Sequence, residues 1–399
     1  MIRFLENKNI LLGVTGSIAA YKALELLRLF TKAGANVRVI LSEDAKRFIA
    51  PLSFEALSKN RVLHSVTESW EDDGNHIFIN KWADIFVIAP ATANTINKLS
   101  AGIADNLLTS TALAFTKPIL IAPAANTAMF LHQSTQNSLL NLKRYGYKIC
   151  SVQNKLLACE DKGEGALAEV KNIFFETARV LLMCPFWQDK SVIVTGGGTV
   201  EKIDDVRFVS NFSSGKMAES LSTALFLKGA EVLYIHSNAP HEADLPIKRV
   251  FAKSAEEMQK ALKNALSNEK YAFLFMIAAV SDYRVKNPIA GKLKKEFLGE
   301  NFTLELVKNS DILLGLNKKE MKIIGFKAEL DAKNALNNAE NMLKEKKLDA
   351  VCLNIINSDN PFGGDTNEVT FIAKNGAAEL PQKSKLEISF DILKKCEEL

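Results

Sequence analysis

Four consecutive residues in the second half of the chain have the chemistry of an anion site. The run Ser213–Lys216, with the sequence SSGK, stands directly before a segment of helical periodicity, and Asn211 adds an amide just upstream. Hydroxyl groups, backbone N–H groups and an ammonium at a helix N-terminus suit a phosphate. A serine N-cap beside a solvated lysine would give the same pattern, so both interpretations stay open.

Two side chains of the first half could transfer protons. His76 is a lone histidine, which is more often structural than catalytic, although an imidazole can act as an acid or a base. Cys159 lies in a loop rich in glycine and charge, where Glu160 and Asp161 follow it. Neighbouring negative charges raise the pKa of a thiol, which favours a proton donor over a thiolate nucleophile.

Two charged side chains of the second half are candidates for ligand binding. Asp282 follows the apolar run 272–279, and an acid at the carboxyl end of a buried strand is placed to bind a ligand or metal, with an Asx turn as the alternative. Lys292 lies in the lysine-rich segment 286–308. Such a run is usually a solvated face, but beside a phosphate pocket it could form a flap over a triphosphate.

The elements that must position these residues begin with the same pattern in each half. The apolar run Ile10–Val14 leads into Thr15-Gly16-Ser17, and Val192–Val194 leads into Thr195-Gly196-Gly197. Each predicts a buried strand ending in a tight turn, followed by an amphipathic helix and a second strand. The turn could be purely structural or could approach a ligand.

Two further strands of the first half end in small polar turns. The predicted strands Ile85–Ala89 and Ile119–Ala122 run into the sequences PATANT and PAAN. Because the carboxyl ends of parallel strands meet at one edge of a sheet, these turns should converge on one pocket. Their small side chains and N–H groups suit a phosphate and a flat ring.

The pattern predicts an α/β fold with two tandem Rossmann-like three-layer domains. The helix predicted at 170–183 and the strand at Val192 are joined by the short link Cys184–Lys190, which contains a proline. Links of this kind mark domain boundaries, so we place the domains at 1–185 and 186–399.

Composition bounds the partners and the location of the protein. The 50 Lys and Arg residues are scattered among 46 Asp and Glu residues, with a net charge of +4, so no basic stripe indicates nucleic-acid binding. The sequence shows neither a membrane-spanning segment nor a signal peptide, so we expect no membrane contact and a cytoplasmic location. Five cysteines without a CxxC pair predict reduced thiols.

Motifs in both halves resemble one enzyme family. The first half is similar to the flavoprotein cysteine decarboxylases in GVTGSIAAYK from Gly13, NHI from Asn75, PATANT from Pro90, AGIADNL from Ala101 and PAAN from Pro123. The second half is similar to the bacterial CTP-dependent ligases in DDVRFVSNFSSGKM from Asp204, AAVSDY from Ala278, Lys292, NSDIL from Asn309 and Gly325-Phe326. The chain thus resembles the fused family of phosphopantothenoylcysteine decarboxylase and phosphopantothenate–cysteine ligase.

For the first domain, the resemblance implies a flavodoxin-like decarboxylase that binds FMN. The cysteinyl thiol would be oxidised to a thioaldehyde, which makes the neighbouring carboxylate a leaving group. His76 would act as acid and base, Asn126 would hold the substrate carboxylate or amide, and Cys159 would protonate the enethiol. The implied FMN contacts are Gly16, Ser17, Ser42, Thr92, Ala93, Asn94, Thr95 and Ala124.

For the second domain, the resemblance implies that CTP and Mg²⁺ activate 4'-phosphopantothenate as an acyl-cytidylate, which cysteine attacks. Lys292 would stabilise the activation step and Asn211 the intermediate and its breakdown. The implied substrate contacts are Ser213, Ser214, Gly215 and Lys216 for the phosphate, and Ala279, Asp282, Ser310, Asp311, Ile312, Leu313, Phe326 and Lys346 for CTP, with Asp282 as the candidate metal ligand. The product would be decarboxylated to 4'-phosphopantetheine. The resemblance also implies a homo-oligomer of flavin-domain trimers linked by ligase dimers.

Several positions depart from the family pattern. Ala125, Phe130, Glu160 and Ala166 stand where methionine, tryptophan, glycine and arginine are usual; Asp205 and Ser310 stand where proline is usual; Met342 stands where a nucleotide-binding lysine is expected. We expect the first four to affect the grip on the substrate and the shape of the loop around Cys159. Met342 should weaken triphosphate binding unless Lys344 substitutes for the missing lysine.

Two alternative functions are weighed against this hypothesis. In the first, the chain is a ligase whose flavin domain is a non-catalytic scaffold; His76, Asn126 and Cys159 together weigh against it. In the second, the glycine turns belong to a nicotinamide oxidoreductase. Such sites expect an acid at the end of the second strand, where this chain has Ser42 and His236.

Overall fold

The computed structural model describes residues 3–71, 74–156, 162–238, 245–294, 302–316 and 320–399. The chain folds into two compact units, residues 1–182 with 244–246, and residues 183–243 with 247–399. The predicted domain boundary between residues 185 and 186 lies close to this division and stays a proposal. Within the described ranges, no helix is both long and apolar enough to cross a membrane.

The first unit is built on a parallel sheet. Its strands are β1 (Asn9–Val14), β2 (Asn36–Leu41), β3 (Ile85–Ala91), β4 (Ile119–Pro123) and β5 (Lys148–Ile149), and a separate hairpin is formed by β6 (Gln153–Leu156) and β7 (Lys162–Ala166). The sheet order is β2-β1-β3-β4-β5, with every pair parallel. This is the order of flavodoxin-like folds, which confirms the fold predicted for the first domain.

Helices cover both faces of this sheet. They are α1 (Lys22–Lys32), α2 (Pro51–Ser58), α3 (His76–Trp82), α4 (Ala93–Ala101), α5 (Leu107–Ala114), α6 (Thr127–Leu131), α7 (Gln133–Arg144) and α8 (Val170–Leu182). Leu11, Phe86 and Ile121 of the sheet pack in one cluster with buried residues of α3, α4, α5 and α7. Helices α1 and α8 pack together, with the rings of Phe30 and Phe174 5.7 Å apart.

His76 is followed by a short apolar alternation, Ile77-Phe78-Ile79, which lies in a helix. Asn75 caps α3, because its side-chain oxygen accepts a hydrogen bond from the Phe78 amide at 2.9 Å. A capped first turn fixes helical backbone where the alternation alone does not decide between helix and strand. His76 is therefore the first residue of a helix.

The second unit is built on a larger mixed sheet. The strands of the unit are β8 (Ser191–Gly196), β9 (Val200–Lys202), β10 (Phe208–Ser210), β11 (Glu231–His236), β12 (Lys248–Phe251), β13 (Phe273–Met276), β14 (Tyr283–Val285), β15 (Leu306–Lys308), β16 (Lys322–Glu329), β17 (Ala350–Ile355), β18 (Thr366–Ala373) and β19 (Gly376–Ser384). The main sheet has the order β12-β11-β8-β13-β16-β17-β18-β19. Its first six strands are parallel and follow the Rossmann order, which confirms the second predicted fold.

Two pairs of helices cover this sheet. They are α9 (Lys216–Leu227), α10 (Ala255–Asn268), α11 (Ala332–Glu345) and α12 (Lys385–Cys396). Alternate strand residues such as Ile193 and Leu274 pack in one cluster with α10 and α11. The intervening residues Val194 and Phe275 are equally buried, and α9 and α12 pack against each other, on β8 and on β19.

Strand β13 is shorter than the predicted run 272–279, and the cause is a threonine. The buried Thr195 hydroxyl accepts hydrogen bonds from the amides of Ile277 and Ala278 at 3.2 and 3.3 Å. A side chain thus replaces the neighbouring strand as the partner of these amides, and the chain turns toward Ala279. Near the end of the lysine-rich segment 286–308, β15 pairs with β14 over Leu306–Lys308.

Replacing Thr195 by valine should destabilise the second unit. Valine has nearly the same shape but leaves two amides without their acceptor, and each unsatisfied buried group costs about 1–3 kcal/mol. Thr195→Ser keeps the hydroxyl and is the matched control. Scanning calorimetry should give a lower transition temperature for the valine variant than for the serine variant; equal temperatures would contradict this role of the hydroxyl.

Candidate active sites

In the first unit, a buried threonine ties together the carboxyl ends of the central strands. The Thr15 hydroxyl donates to the Pro90 carbonyl at 2.7 Å and accepts from the Thr92 amide at 3.0 Å. The Ala124 amide donates to the Ala91 carbonyl at 2.9 Å. The turns after β1, β3 and β4 therefore form one continuous edge.

Three hydroxyl side chains cap short helical segments at this edge. Ser17 accepts from the Ala19 amide at 3.2 Å, and Ser42 accepts from the Ala45 amide at 3.3 Å. Thr92 caps α4 through the Thr95 amide at 3.3 Å. Such helical starts present backbone N–H groups, which are donors for an anion. Ala93 and Asn94 are the first two residues of α4.

Gly16 gives this edge its close backbone approach. A Cβ atom at Gly16 would lie 2.4 Å from Cβ of Asp44, so any larger residue would push the turn after β1 away from the turn after β2. The edge therefore combines a glycine cradle, capped helical starts and small side chains. This donor set fits a phosphate-bearing flat ligand such as FMN.

The β6–β7 hairpin packs on the turn that contains Asn126. The Ala125 amide donates to the Gly165 carbonyl at 2.9 Å. Cβ atoms at Gly163 and Gly165 would lie 2.5 Å from the Thr127 hydroxyl and the Ala125 carbonyl, so both glycines are needed for this approach. Cys159 and Glu160 lie outside the described residues, in the segment between these two strands.

Asn126 caps α6, with its side-chain oxygen accepting from the Ala128 amide at 2.8 Å. Of the family departures nearby, Phe130 and Ala166 are buried in the same region. The buried hydroxyl oxygen of Thr127 has no hydrogen-bond partner in the described part of the chain. It is an orphaned polar atom beside the predicted substrate turn, and a bound ligand could supply its partner.

His76 is oriented by a carboxylate that the sequence analysis missed. Its Nδ1 lies 2.7 Å from Oε1 of Glu68, and the Trp70 ring packs edge-on at 5.4 Å. A carboxylate at Nδ1 holds the proton there and leaves Nε2 as the proton acceptor. These described contacts are with the segment before α3 rather than with the strand-end turns. Glu68 lies eight residues upstream of His76, so no helical spacing identified it.

In the second unit, a cavity of about 510 Å³ lies at the carboxyl ends of the parallel strands. This is the position at which Rossmann folds bind ligands. Of the predicted residues, it is lined by Asn211, Ser213, Ser214, Gly215, Ala279 and Phe326. The structure therefore brings together residues that are as much as 115 positions apart in the sequence, from 211 to 326.

Asn211 packs closely against the glycine turn that follows β8. Its side-chain amide donates to the Ala279 carbonyl at 3.2 Å, and Ala279 in turn donates its amide to Gly197 at 2.9 Å. A Cβ atom at Gly198 would lie 2.7 Å from the Asn211 carbonyl. The glycines therefore allow the Asn211 loop and the end of β13 to approach the same turn.

Helix α9 starts at the cavity without a serine cap. Its N-cap is Gly215, with φ of +77°, a conformation that favours glycine. Lys216 is not a solvated lysine: its ammonium donates to Asp365 at 2.6 Å and to the Gly363 carbonyl at 3.0 Å. The N-cap is therefore a glycine and the lysine is ion-paired, while the Ser214 hydroxyl accepts a hydrogen bond from the Lys216 amide at 3.4 Å.

Lys292 is exposed, but hydrogen bonds to Asp204 and Asp205 fix the backbone of the residues on both sides of it. The Asp205 carboxylate accepts from the Gly291 amide at 2.7 Å, and the Asp205 amide donates to the Gly291 carbonyl at 3.1 Å. Asp204 accepts from the Leu293 amide at 3.1 Å. The segment that precedes Asn211 thus fixes the lysine backbone. A proline at position 205, usual in the family, could supply neither bond.

The pKa of Asp204 is well below its usual range. Burial alone would raise this pKa, but the amides of Leu293, Val206 and Arg207 donate to the carboxylate and outweigh burial. The Arg207 guanidinium adds two donors, at 3.0 and 2.7 Å, and also donates to the Leu293 carbonyl at 2.7 Å. The ionised form is therefore strongly favoured.

The predicted CTP residues form a second group. Lys346 and Asp311 are ion-paired at 2.8 Å, and the pKa of Asp311 is lowered because this ion pair and two backbone donors outweigh burial. Ser310 is exposed beside them. The side chains of Ile312 and Leu313 belong to the hydrophobic cluster, so only their backbone is left for a ligand.

Asp282 is exposed, and its carbonyl accepts from the Asn309 amide at 2.7 Å. This bond brings Asp282 beside the start of the segment Ser310–Leu313. Among the described residues, no group of three His, Cys, Asp or Glu side chains could hold a metal ion. Asp282 is thus a single carboxylate rather than part of such a group.

Met342 packs against the hydrophobic cluster of the second unit. Its methyl group would lie 2.9 Å from a Cβ atom at Gly325, so it fills space under β16. Lys344 lines a separate cavity of about 680 Å³ with Lys347 and Lys374. Lys344 therefore does not line the cavity that contains Asn211, and its role in triphosphate binding stays a prediction.

Three polar residues are among the cavity residues that were missed from the sequence. Asn354, Asn360 and Lys385 line the same cavity as Asn211, and Asn360 donates to the Asn354 side chain at 2.6 Å. The signal for Lys385 was present: Ser384 and Glu387 form a capping box, which marks position 385 as a helix start. Asn354 lies within β17 and Asn360 lies in the loop after that strand, and neither position carries a comparable signal.

The chain matches two family models. Residues 3–182 match the model described as Flavoprotein, and residues 187–399 match that of the DNA/pantothenate metabolism flavoprotein C-terminal domain. The "Coenzyme A biosynthesis bifunctional protein CoaBC" of Bacillus subtilis is 39% identical, over 98% of this chain and 96% of that protein. The Haemophilus influenzae protein of the same description is 36% identical, over 98% and 97%. A solved C-terminal domain of a CoaBC protein is 32% identical and covers 54% of this chain and 97% of its own, with a TM-score of 0.45.

Stability should depend on pH through Asp204. Because its folded pKa is lowered, its stabilisation is complete above the unfolded pKa of about 3.9 and is lost as pH falls through the folded value. The difference in unfolding temperature between the wild type and Asp204→Asn should therefore be constant from about pH 5 to 8 and shrink below about pH 4. A difference that stays constant down to pH 3 would contradict this role of the ionised carboxylate.

Proposed function

The chain belongs to the family of bifunctional coenzyme A biosynthesis proteins, and from this premise we propose which residues carry its two activities. It is a bifunctional enzyme, with a flavoprotein domain of the phosphopantothenoylcysteine decarboxylase type followed by a ligase domain. Ligation must come first, because it makes the compound that is decarboxylated. The domains therefore stand in the reverse of the order in which they act.

We propose that FMN is held at the strand-end edge of the first domain. Bound there, the flavin would accept two electrons as the substrate thiol is oxidised, so that the neighbouring carboxylate leaves as CO2, and would return them as a hydride to the product, which makes the reaction redox-neutral overall. Gly16 allows close approach, and the capped starts after Ser17, Ser42 and Thr92 offer N–H donors for the phosphate. Ala93, Asn94, Thr95 and Ala124 complete the proposed FMN contacts.

We propose that side chains of this protein carry out the proton transfers of decarboxylation. His76, with Nδ1 held by Glu68 at 2.7 Å, would exchange a proton at Nε2. Asn126 would hold the substrate carboxylate or amide from the turn on which the β6–β7 hairpin packs. Cys159, in the segment between those strands, would protonate the enethiol.

The ligase assignment depends most on one observation: Asn211, the start of α9 and Ala279 line one cavity. We propose that this cavity holds 4'-phosphopantothenate, with its phosphate at Ser213, Ser214, Gly215 and Lys216. Asn211 would donate to the acyl-cytidylate, where negative charge develops on oxygen. Lys292, held by Asp204 and Asp205, would stabilise the charge that forms during activation.

We propose that CTP binds beside this cavity, at Ala279, Asp282, Phe326, the segment Ser310–Leu313 and Lys346. The triphosphate would compete with Asp311 for the Lys346 ammonium, which lies 2.8 Å from that carboxylate. Ile312 and Leu313 would contribute backbone groups only. Mg²⁺ would arrive with the triphosphate and take Asp282 as a ligand, since hard cations bind carboxylate and phosphate oxygens together.

The assembly and the location are also proposals. The resemblance of both halves to the fused family supports a homo-oligomer in which trimers of the flavin domain are linked by dimers of the ligase domain. It also supports a cytoplasmic enzyme whose partners are small molecules. Sedimentation velocity of the full chain tests the assembly, and a monomer would contradict it.

The two reactions should be separable by substitution of Asn211. Asn211→Asp places a negative charge where charge develops on the acyl-cytidylate, so formation of phosphopantothenoylcysteine should fall at least about 100-fold. Decarboxylation of supplied phosphopantothenoylcysteine should be unchanged. Both rates can be followed by mass spectrometry of the products, and loss of both activities would show that the halves are not independent.

The Asp205–Gly291 bonds should matter for activation. Asp205→Ala removes the acceptor of the Gly291 amide and lets the Lys292 segment shift, so pyrophosphate release from CTP and 4'-phosphopantothenate should slow about 10- to 100-fold. Asp205→Asn retains an acceptor and should stay close to the wild type.

Lys202→Ala is the control for this experiment, because Lys202 pairs with Asp205 at 3.6 Å without contacting Gly291. An effect of Lys202→Ala equal to that of Asp205→Ala would assign the role to the ion pair. It would thereby contradict the role given to the Gly291 bond.

A further inference from the structure

Two lysines outside the predicted reacting groups converge on one loop at the cavity. Lys216 is the first residue of α9 and Lys385 the first residue of α12. The Lys216 ammonium donates to the Gly363 carbonyl and the Asp365 carboxylate, at 3.0 and 2.6 Å. The Lys385 ammonium donates to the Gly364 carbonyl. The two cations are therefore satisfied by three consecutive residues of the loop between β17 and β18.

These positions are electrostatically unfavourable for lysine. The N-terminus of a helix carries partial positive charge, which disfavours a cation in the first turn, and both helix starts place one there. The pKa of Lys385 is lowered by burial and then by the charge of Lys216, while Asp365 raises it. One carboxylate thus faces two ammonium groups and two helix N-termini, and the group retains an excess of positive charge.

The carboxylate that pairs with Lys216 is open to water. The Asp365 side chain is 88% exposed, so its carboxylate can turn into water when a stronger anion arrives. Gly363 and Gly364 contribute carbonyls rather than side chains. A phosphate monoester carries up to two negative charges and three acceptor oxygens, which match two ammonium donors better than one carboxylate and two carbonyls.

We propose that Lys385 is the second cation of a phosphate subsite, in which Lys216 and Lys385 hold the phosphate of 4'-phosphopantothenate in place of Asp365. This inference rests on the proposed ligase function. The carboxylate of Asp365 occupies the subsite until the phosphate displaces it. Because Lys385 lines the same cavity as Asn211, one substrate molecule can engage both residues. Lys385 is thus a specificity residue that selects the phosphorylated substrate over pantothenate.

The test compares a substrate that carries the phosphate with one that lacks it. In the full chain with CTP, Mg²⁺ and cysteine, Lys385→Met should raise KM for 4'-phosphopantothenate about 10- to 100-fold, the loss expected for a charged hydrogen-bonded pair. The inhibition constant of pantothenate, measured as a competitive inhibitor, should be unchanged. Lys385→Arg should restore most of the affinity for the phosphorylated substrate.

Lys383→Ala is the matched control. Lys383 lies two residues earlier and pairs with Asp391 at 2.7 Å, outside the residues that line the cavity. Its KM for 4'-phosphopantothenate should equal that of the wild type. If the KM for CTP rises in Lys385→Met and that for 4'-phosphopantothenate does not, the lysine serves the nucleotide and the proposal is overturned.

Asp365→Asn provides an independent measurement should Lys385→Met fail to fold. Removing the competing charge should lower KM for 4'-phosphopantothenate about 2- to 5-fold and leave pantothenate inhibition unchanged. An unchanged or higher KM would overturn the displacement of Asp365. A wild-type chain that forms no phosphopantothenoylcysteine would overturn the proposed ligase function itself, whereas an active wild type with insensitive Lys385 variants overturns only this inference.

Discussion

A buried threonine at the end of the central strand organises each of the two sheets. In the first unit, Thr15 joins the outgoing turns of β1 and β3 through Pro90 and Thr92. In the second unit, the Thr195 hydroxyl accepts hydrogen bonds from the amides of Ile277 and Ala278, which therefore do not pair with a neighbouring strand. In each sheet the hydroxyl ends regular strand pairing at the carboxyl edge. Each threonine is followed by a glycine, which leaves room for a neighbouring segment of the chain to pack closely. The candidate sites of both units lie at these edges.

This arrangement explains why much of the fold could be predicted from the sequence. The apolar runs that end in Thr-Gly predict central strands, and the alternation with amphipathic helices predicts parallel sheets; both sheet orders agree with that prediction. Strand ends were less predictable. The apolar character of the run 272–279 continues past Met276, although the strand ends there. The Thr195 side chain, which belongs to another strand, accepts the hydrogen bonds of the next two amides. No local pattern within the run indicates this contact.

The sequence was more informative about the residue types of the sites than about what holds them. Asn211, Ser213 and Ala279 were predicted, and the structure brings them to one cavity. Glu68, Asp205 and Lys385 contact His76, Gly291 and Gly364, which are 8, 86 and 21 positions away in the sequence, so spacing along the chain gave no reason to pair them. Asp205 also shows that a departure from a family pattern can make a structural contact, since a proline has neither the amide that donates to Gly291 nor the carboxylate that accepts from it.

The central claim is that one chain carries out ligation and then decarboxylation at two separate sheet edges. The most direct test is mass spectrometry of the products after the purified protein is incubated with 4'-phosphopantothenate, cysteine, CTP and Mg²⁺. The account predicts 4'-phosphopantetheine together with CMP. Accumulation of phosphopantothenoylcysteine without its decarboxylation would contradict it, and would reduce the first domain to a flavin-binding scaffold.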